Sequence, residues 1–268
     1  MKTGLFWWSS RELYGKGPEN YGDLLSKYLV EKISGGETVW VQPKKIKWYH
    51  SKKQHIVAIG SIIAHVSKHS RVWGSGIISK NDKVAQAEFL AVRGPETRKR
   101  ILELGYTCPE VYGDPGILLP KFLDTASVDK KYKIGIIPHY VDFELVSEWY
   151  KEDTSTKVIN LRTDNIEATT GEICSCEQIV SSSLHGVIIS HAYQIPAIWV
   201  QFSDKLHGDN IKFKDYFDSV KLHSYQPKFV DQKLSKEALI SLVNDYNNLP
   251  LEKTIEALQE GLMKSFPQ

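Results

Sequence analysis

Short β-branched apolar runs alternate along the chain with longer segments whose apolar residues recur at helical spacing, and this alternation predicts an α/β fold on largely parallel sheets. In the first half the runs predict strands near Gly4 to Trp8, Thr38 to Val41, His55 to Gly60, Arg71 to Gly74 and Phe89 to Val92. Helices fit Tyr21 to Ile33 and Pro95 to Leu104, the second opened by its proline and followed by Gly105. The charged stretch from Lys121 to Lys133 loses the apolar pattern and predicts the connection between two units, residues 1–122 and 123–268. Strands follow at Lys133 to Ile137, Lys157 to Leu161, Gln178 to Ser181 and Ala197 to Val200, with helices near Phe143 to Tyr150, Ala168 to Cys174 and Leu184 to Tyr193. From Ser235 to Phe266 helical spacing resumes, broken at Asn247 to Pro250, so two terminal helices are expected.

Composition narrows the picture. The chain has 268 residues, 41% hydrophobic and 25% charged, enough to bury a substantial core. Lys plus Arg number 34 against 32 Asp plus Glu, and a net charge of +2 gives no bulk attraction for nucleic acid. Any anion site must therefore be local. The longest apolar stretches, His55 to Val66 and Val187 to Phe202, are interrupted by His, Gln or Pro and predict no membrane span. Leu5 to Trp8 is too short for the apolar core of a signal peptide, about 7 to 15 residues, and reads as the first strand of a cytoplasmic protein. Cys108, Cys174 and Cys176 cannot form a disulfide framework, and a lone C-x-C pair implies no metal.

The segment IVSSSLHGVIISHAYQIPAIWV carries the clearest chemistry. A strand ends in three serines and turns into an apolar helix, so Ser181 to Ser183 can cap it while its free N–H groups and positive dipole end face outward. His185 lies in the first turn, beyond the carboxyl end of a strand, where ligands of open α/β sheets sit. Gly186 permits close approach by a ligand or a neighbouring strand. The plainer reading makes the serines ordinary caps and His185 an ordinary polar residue. His191 reads as packed. Asn20 and Asp23 open the first helix, and capping plus the helix dipole account for both; the functional reading places Asp23 in a cleft as a base or hydroxyl binder. Arg93, at a strand's carboxyl end, could grip a carboxylate or phosphate, or form a surface ion pair.

Four weaker signals accompany these. Gly74-Ser75-Gly76 is only a fragment of a phosphate cradle, and Gly113 to Gly116 reads as a turn. Trp7, Trp8 and Trp73 could stack on sugars, although packing explains each. Lys44, Lys45, Lys47, Lys52 and Lys53 could meet anionic lipid, or form a solvated face.

Taken in order, NYGD, VWGSG, VRGPETR, YGDPGILLP, IGIIPHYVD and SSSLHGVIISHAYQIPAIWV resemble the polysaccharide pyruvyl transferase family, including its succinoglycan ketalase-like members, over about Asn20 to Trp199. The resemblance implies two Rossmann-like domains facing across a cleft in a GT-B-like arrangement, with a C-terminal helical tail returning toward the first. It implies transfer of pyruvate from phosphoenolpyruvate, a co-substrate, to two hydroxyls of a sugar, with no other cofactor. His185 is then the acid or base, Asp23 the residue on the acceptor hydroxyl, Arg93 the grip on the donor, and Ser183, Leu184 and Gly186 the backbone at the donor anion. A helix N-terminus disfavours an imidazolium that bound phosphate would favour, which leaves His185's direction of proton transfer open. Ser183 stands where some members carry an arginine, so one donor contact is missing or comes from elsewhere. The implied acceptor is a glycan or lipid-linked oligosaccharide, with peripheral association at the membrane's inner face. A nucleotide-sugar glycosyltransferase and a noncatalytic glycan-assembly partner are the alternative readings.

Overall fold

The structure, a computed structural model, describes residues 2–15, 17–45, 54–206, 208–246 and 249–267. Lys47, Lys52 and Lys53 of the basic stretch lie outside the described residues, while Lys44 and Lys45 are exposed on a short 3-10 turn.

Two five-stranded sheets form the frame. In the first, β1 (Thr3–Phe6), β2 (Thr38–Trp40), β3 (His55–Val57), β4 (Ser70–Trp73) and β5 (Glu88–Ala91) run parallel in the order β2-β1-β3-β4-β5. In the second, β6 (Tyr132–Ile137), β7 (Thr156–Val158), β8 (Cys176–Ser181), β9 (Ala197–Gln201) and β10 (Lys228–Phe229) run parallel in the order β10-β9-β8-β6-β7. Counted within its own half, each sheet has the same doubly wound order, 2-1-3-4-5. The winding reverses between β1 and β3 in one and between β6 and β8 in the other, and a crevice opens beyond the carboxyl ends at such a reversal.

The predicted α/β class and the strands hold, with ends shifted by a few residues. β3 stops at Val57, three residues short of expectation, because Gly60 turns the chain outward at φ 104°. Helix α2 (Tyr21–Ser34) starts where Asn20 accepts a hydrogen bond from Gly22 N, and ends at Gly35 in the left-handed region. Helices α3 (Pro95–Glu103), α4 (Phe143–Tyr150), α5 (Ile166–Cys174) and α6 (Leu184–Ala192) complete the expected set. Among the described residues two α-helices and a strand are additional, besides short 3-10 segments: α1 (Ser10–Tyr14), α7 (Ile211–Ser219) and β10.

The stretch after Pro120 is packed rather than free. Phe122, Leu123 and Val128 lie against the core, and Tyr193 donates its hydroxyl hydrogen to Leu123 O at 2.8 Å. The outer face of each sheet has its own core, centred on Val57, Val72 and Ile101 in the first and on Ile136, Val180 and Leu239 in the second. A third cluster is continuous between the halves, running from Leu5, Leu25 and Trp73 through Ile117 to Ile137, Val187 and Phe217.

Two helices of the second half return to the first. α7 packs on α3, and α9 (Glu252–Lys264) covers the 3-10 segment Pro115–Lys121. Gln259 donates to Ile117 O at 2.7 Å, Trp73 donates its indole N–H to Leu262 O at 2.9 Å, and Phe266 meets Trp73 edge-on. The expected return of the tail is therefore made by α9, whereas α8 (Lys236–Asn244) stays on the second sheet. No described helix is long and apolar enough to cross a membrane.

Candidate functional site

The two winding reversals share one cleft of about 390 Å³. From the β1 side come Trp8, Asn20 and Asp23, and from the β3 side Gly60, Ser61 and His65. His139 and Tyr140 follow β6, Ser183, Leu184 and His185 follow β8, and Lys212 projects from the first turn of α7. The volume suits a small ligand, and the lining mixes convergent polar groups with aromatic rings.

His185 sits in the first turn of α6 with its ring against Gly22 of α2. A Cβ at Gly22 would lie 1.9 Å from His185 Nδ1, so only glycine leaves room for the imidazole. The other ring nitrogen, Nε2, faces Asp114 Oδ2 at 3.8 Å. Asp114 is fully buried; its Oδ1 accepts from Gly116 N at 2.9 Å, while Oδ2 and His185 Nε2 are buried without a hydrogen-bond partner. A carboxylate behind an imidazole in this way can orient the ring.

Asp23 stands on the opposite wall, in the first turn of α2, close to Gly60; a Cβ at Gly60 would lie 3.2 Å from Asp23 Oδ1. Burial pushes the Asp23 carboxyl up to about 7; His185 pulls it back, Glu19 and Asp114 push further, and Lys212 again pulls back. Asn20 keeps the capping role read from the sequence, whereas Asp23 faces the cleft as the functional reading required. Burial likewise pushes the Lys212 ammonium down to about 8, Arg93 acts in the same direction, and Asp23 opposes them.

The three serines act differently from the predicted caps. Ser181 donates to Ile137 O and accepts from Ser183 N, and Ser182 accepts from His139 N at 2.8 Å, so both tie the β6 and β8 loops together. Ser183 occupies the cap position, yet makes no side-chain cap bond, and it lines the cleft with Leu184. Gly186 admits the neighbouring strand rather than a ligand, since a Cβ would lie 2.4 Å from Ser181 Oγ and 2.9 Å from Ile137 Cγ2.

Arg93 is a correction to the sequence reading. It is fully buried, donating to Asp215 Oδ2 at 3.0 Å, to Ser61 Oγ at 2.7 Å and to Ile77 O at 2.6 Å. Three of its five N–H donors are bonded inside the protein, and Ser61, not Arg93, lines the cleft. Gly76 and Gly74 serve close packing instead of a phosphate: a Cβ at Gly76 would strike the Arg93 guanidinium at 2.4 Å, and one at Gly74 would strike Pro115 at 2.2 Å. Of the three tryptophans only Trp8 lines the cleft, beside His65, while Trp7 and Trp73 are buried. His191 is packed as expected, with Nδ1 3.0 Å from the Tyr216 hydroxyl. The three thiols are buried and free, and burial holds Cys108 up at about 11 and Cys176 up at about 12.

Sequence reasoning missed Asp114, Lys212, Ser61 and His139. Asp114 was visible only as the turn residue of Gly-Asp-Pro-Gly, and Lys212 carries no local signal.

A family model described as polysaccharide pyruvyl transferase matches residues 20–204. An uncharacterised protein of Acanthamoeba polyphaga mimivirus is 32% identical over 241 residues, covering 86% of this chain and 80% of that protein. The succinoglycan biosynthesis protein ExoV of Rhizobium meliloti is 23% identical over 234 residues, covering 82% of this chain and 67% of its own. No solved structure matches. The matched span runs from Asn20 across the β8–α6 turn to Asp204, so it contains Asp23, Asp114 and His185 but stops short of Lys212.

Proposed function

Because the chain belongs to the polysaccharide pyruvyl transferase family, we propose that it moves pyruvate from phosphoenolpyruvate to two hydroxyls of a glycan sugar and forms a cyclic ketal. The observation that carries this reading is the pairing, across one cleft, of a histidine backed by a buried carboxylate with a second carboxyl held near 7. Ketal formation needs one group to give a proton and another to take one, and both work best with affinities near the operating pH.

In the proposed reaction His185, oriented by Asp114, delivers a proton to the methylene carbon of phosphoenolpyruvate. The adjacent carbon becomes electrophilic, and a sugar hydroxyl attacks it while Asp23 takes the hydroxyl proton. The carbon–phosphate oxygen bond then breaks, and the second hydroxyl closes the ring. Two hydroxyl protons are released in all: one restores His185 and the other leaves with phosphate. The open N-terminus of α6 at Ser183 and Leu184 lies where it would meet an anionic group of the donor. Tyr140, 47% exposed, lies tilted against His139, and Trp8 lies tilted against His65, which offers rings to a sugar acceptor. The facing of the two halves is read as GT-B-like, the acceptor as a glycan or lipid-linked oligosaccharide, and the working place as the inner membrane face.

Titration calorimetry with phosphoenolpyruvate and with a panel of nucleotide sugars tests the donor. Saturable phosphoenolpyruvate binding that weakens when phosphate is added is the expected result. Binding of a nucleotide sugar with no response to phosphoenolpyruvate would overturn the reading in favour of glycosyl transfer.

A further inference from the structure

Among the described residues Lys212 is the one lysine or arginine that lines the cleft, and it reaches the cleft from an element that the chain does not place there until after the second sheet is nearly complete. Its position is fixed by a buried latch. Asp215, three residues later on α7 and so on the same helical face, accepts from Arg93 Nε at 3.0 Å, from Thr97 N at 2.9 Å and from Thr97 Oγ1 at 2.6 Å. Both charges of the latch are fully buried. The backbone of Asp215 packs closely too, since a Cβ at Gly94 would lie 1.9 Å from Asp215 O. The first turn of α7 is thereby held against the first half, with Lys212 directed into the space that Asp23, Ser61 and His185 enclose.

The surroundings give that ammonium an aromatic neighbour but, among the described residues, no paired carboxylate: Lys212 Nζ stands 5.5 Å from the centre of the Phe213 ring. The neighbouring Lys214 is paired to Glu96 and Asp218 outside the cleft, whereas Lys212 takes part in no ion pair among the described residues. The charges that act on it are Arg93, which is of like sign, and Asp23, which opposes. The rings of His65, His139 and His185 share the cleft. A half-buried cation with a like charge behind it and a carboxyl that is largely protonated below neutrality in front of it gains most from an incoming anion.

We propose that Lys212 is the cation that receives an anionic group of phosphoenolpyruvate, its phosphate or its carboxylate, and that the Arg93–Asp215 latch positions it to do so. The assignment rests on the reaction proposed above and moves the donor grip from Arg93 to a residue outside the span matched by the family model. Lysine suits this use as a compact point charge, whereas Arg93 is fully buried against internal partners.

The test compares Lys212→Met, Lys212→Arg and the unaltered protein by calorimetry with phosphoenolpyruvate, with thermal melts as the check on folding. Lys212→Met is expected to weaken donor binding ten- to a hundredfold with an unchanged melt, and Lys212→Arg to restore it to within a few fold. The pH profile separates a direct role from a structural one. Affinity of the unaltered protein falls as pH rises through about 8, where the ammonium loses its proton, and that fall is absent in Lys212→Arg. Inorganic phosphate and pyruvate, titrated separately, identify the end that Lys212 meets: loss of either in Lys212→Met supports the assignment. Equal phosphoenolpyruvate affinity in Lys212→Met and the unaltered protein would overturn it while leaving pyruvyl transfer standing. Absence of phosphoenolpyruvate binding by the unaltered protein would instead overturn the reaction itself.

Discussion

Gly22 decides whether His185 can stand where it does. In the first turn of a helix alanine is ordinarily the better residue, by up to about 1 kcal/mol, yet here a methyl group would overlap the imidazole. Gly22→Ala is therefore expected to cut turnover on the order of 10² to 10⁴-fold, the range associated with a lost proton-transfer group. In a His185→Ala background the same change should leave the melting temperature unchanged or raise it. Asp23 shows the opposite balance. Its folded carboxyl holds a proton up to about 7 against 3.8 in an ordinary carboxyl, so the folded state binds that proton more tightly than the unfolded chain. The cost to stability appears as pH rises from about 4 toward 7 and persists above it. Asp23→Asn should then melt higher than the unaltered protein at pH 8, by on the order of 1 to 2 kcal/mol after screening by the open cleft, with the difference vanishing near pH 4 and turnover lost throughout. Identical melts at pH 8 would show that the carboxylate is not held under strain.

At the scale of elements, the latch between α3 and α7 is the most sensitive joint. Removing one partner of a buried pair strands the other, at about 3 to 5 kcal/mol. Asp215→Asn should lower the melting temperature by roughly 6 to 20 °C at about 2 to 4 °C per kcal/mol, measured by differential scanning calorimetry. Elements were legible where one face meets one neighbour. The strands show this, as does α2, whose Leu25, Leu29 and Val30 are buried beside exposed or half-buried polar residues. α7 was not legible, because it is covered on two sides: Ile211 packs into the first half's outer core, Phe213 stacks on Trp199 of β9 at 4.1 Å, and the charged Asp215 is buried between them. A helix whose charge points inward leaves no single apolar stripe to read. β10, with two residues, is too short to leave a pattern.

Across the whole molecule, two sheets of one winding order place their reversals opposite each other. His185 was legible because it follows the end of β8 directly, and Asp23 because it opens the first long helix beside its Asn20 cap. Asp114 and Lys212 were not, because their contacts join residues far apart in sequence, and only packing brings them together. The shared core has a further effect on how the chain divides. Trp73 of the first sheet is covered by Leu262 and Phe266, and Arg93 is neutralised by Asp215, all from beyond residue 123. Residues 1–122 expressed alone should therefore fail to fold cooperatively, seen as the absence of a sigmoidal denaturant transition; a cooperative transition would show that α7 and α9 are dispensable to the first sheet.

The halves are also joined at the start of α2. Tyr21 N donates to Leu161 O, its buried hydroxyl meets Thr170 at 2.7 Å, and Thr163 N donates to Glu19 O. Among the described residues the walls of the cleft are thus tied to each other at α7 and at the start of α2. On the proposed reaction, entry of a small anion would then be an encounter with a ready cavity, governed by diffusion and by the local field, and its residence would be set by escape rather than by the opening of a jaw.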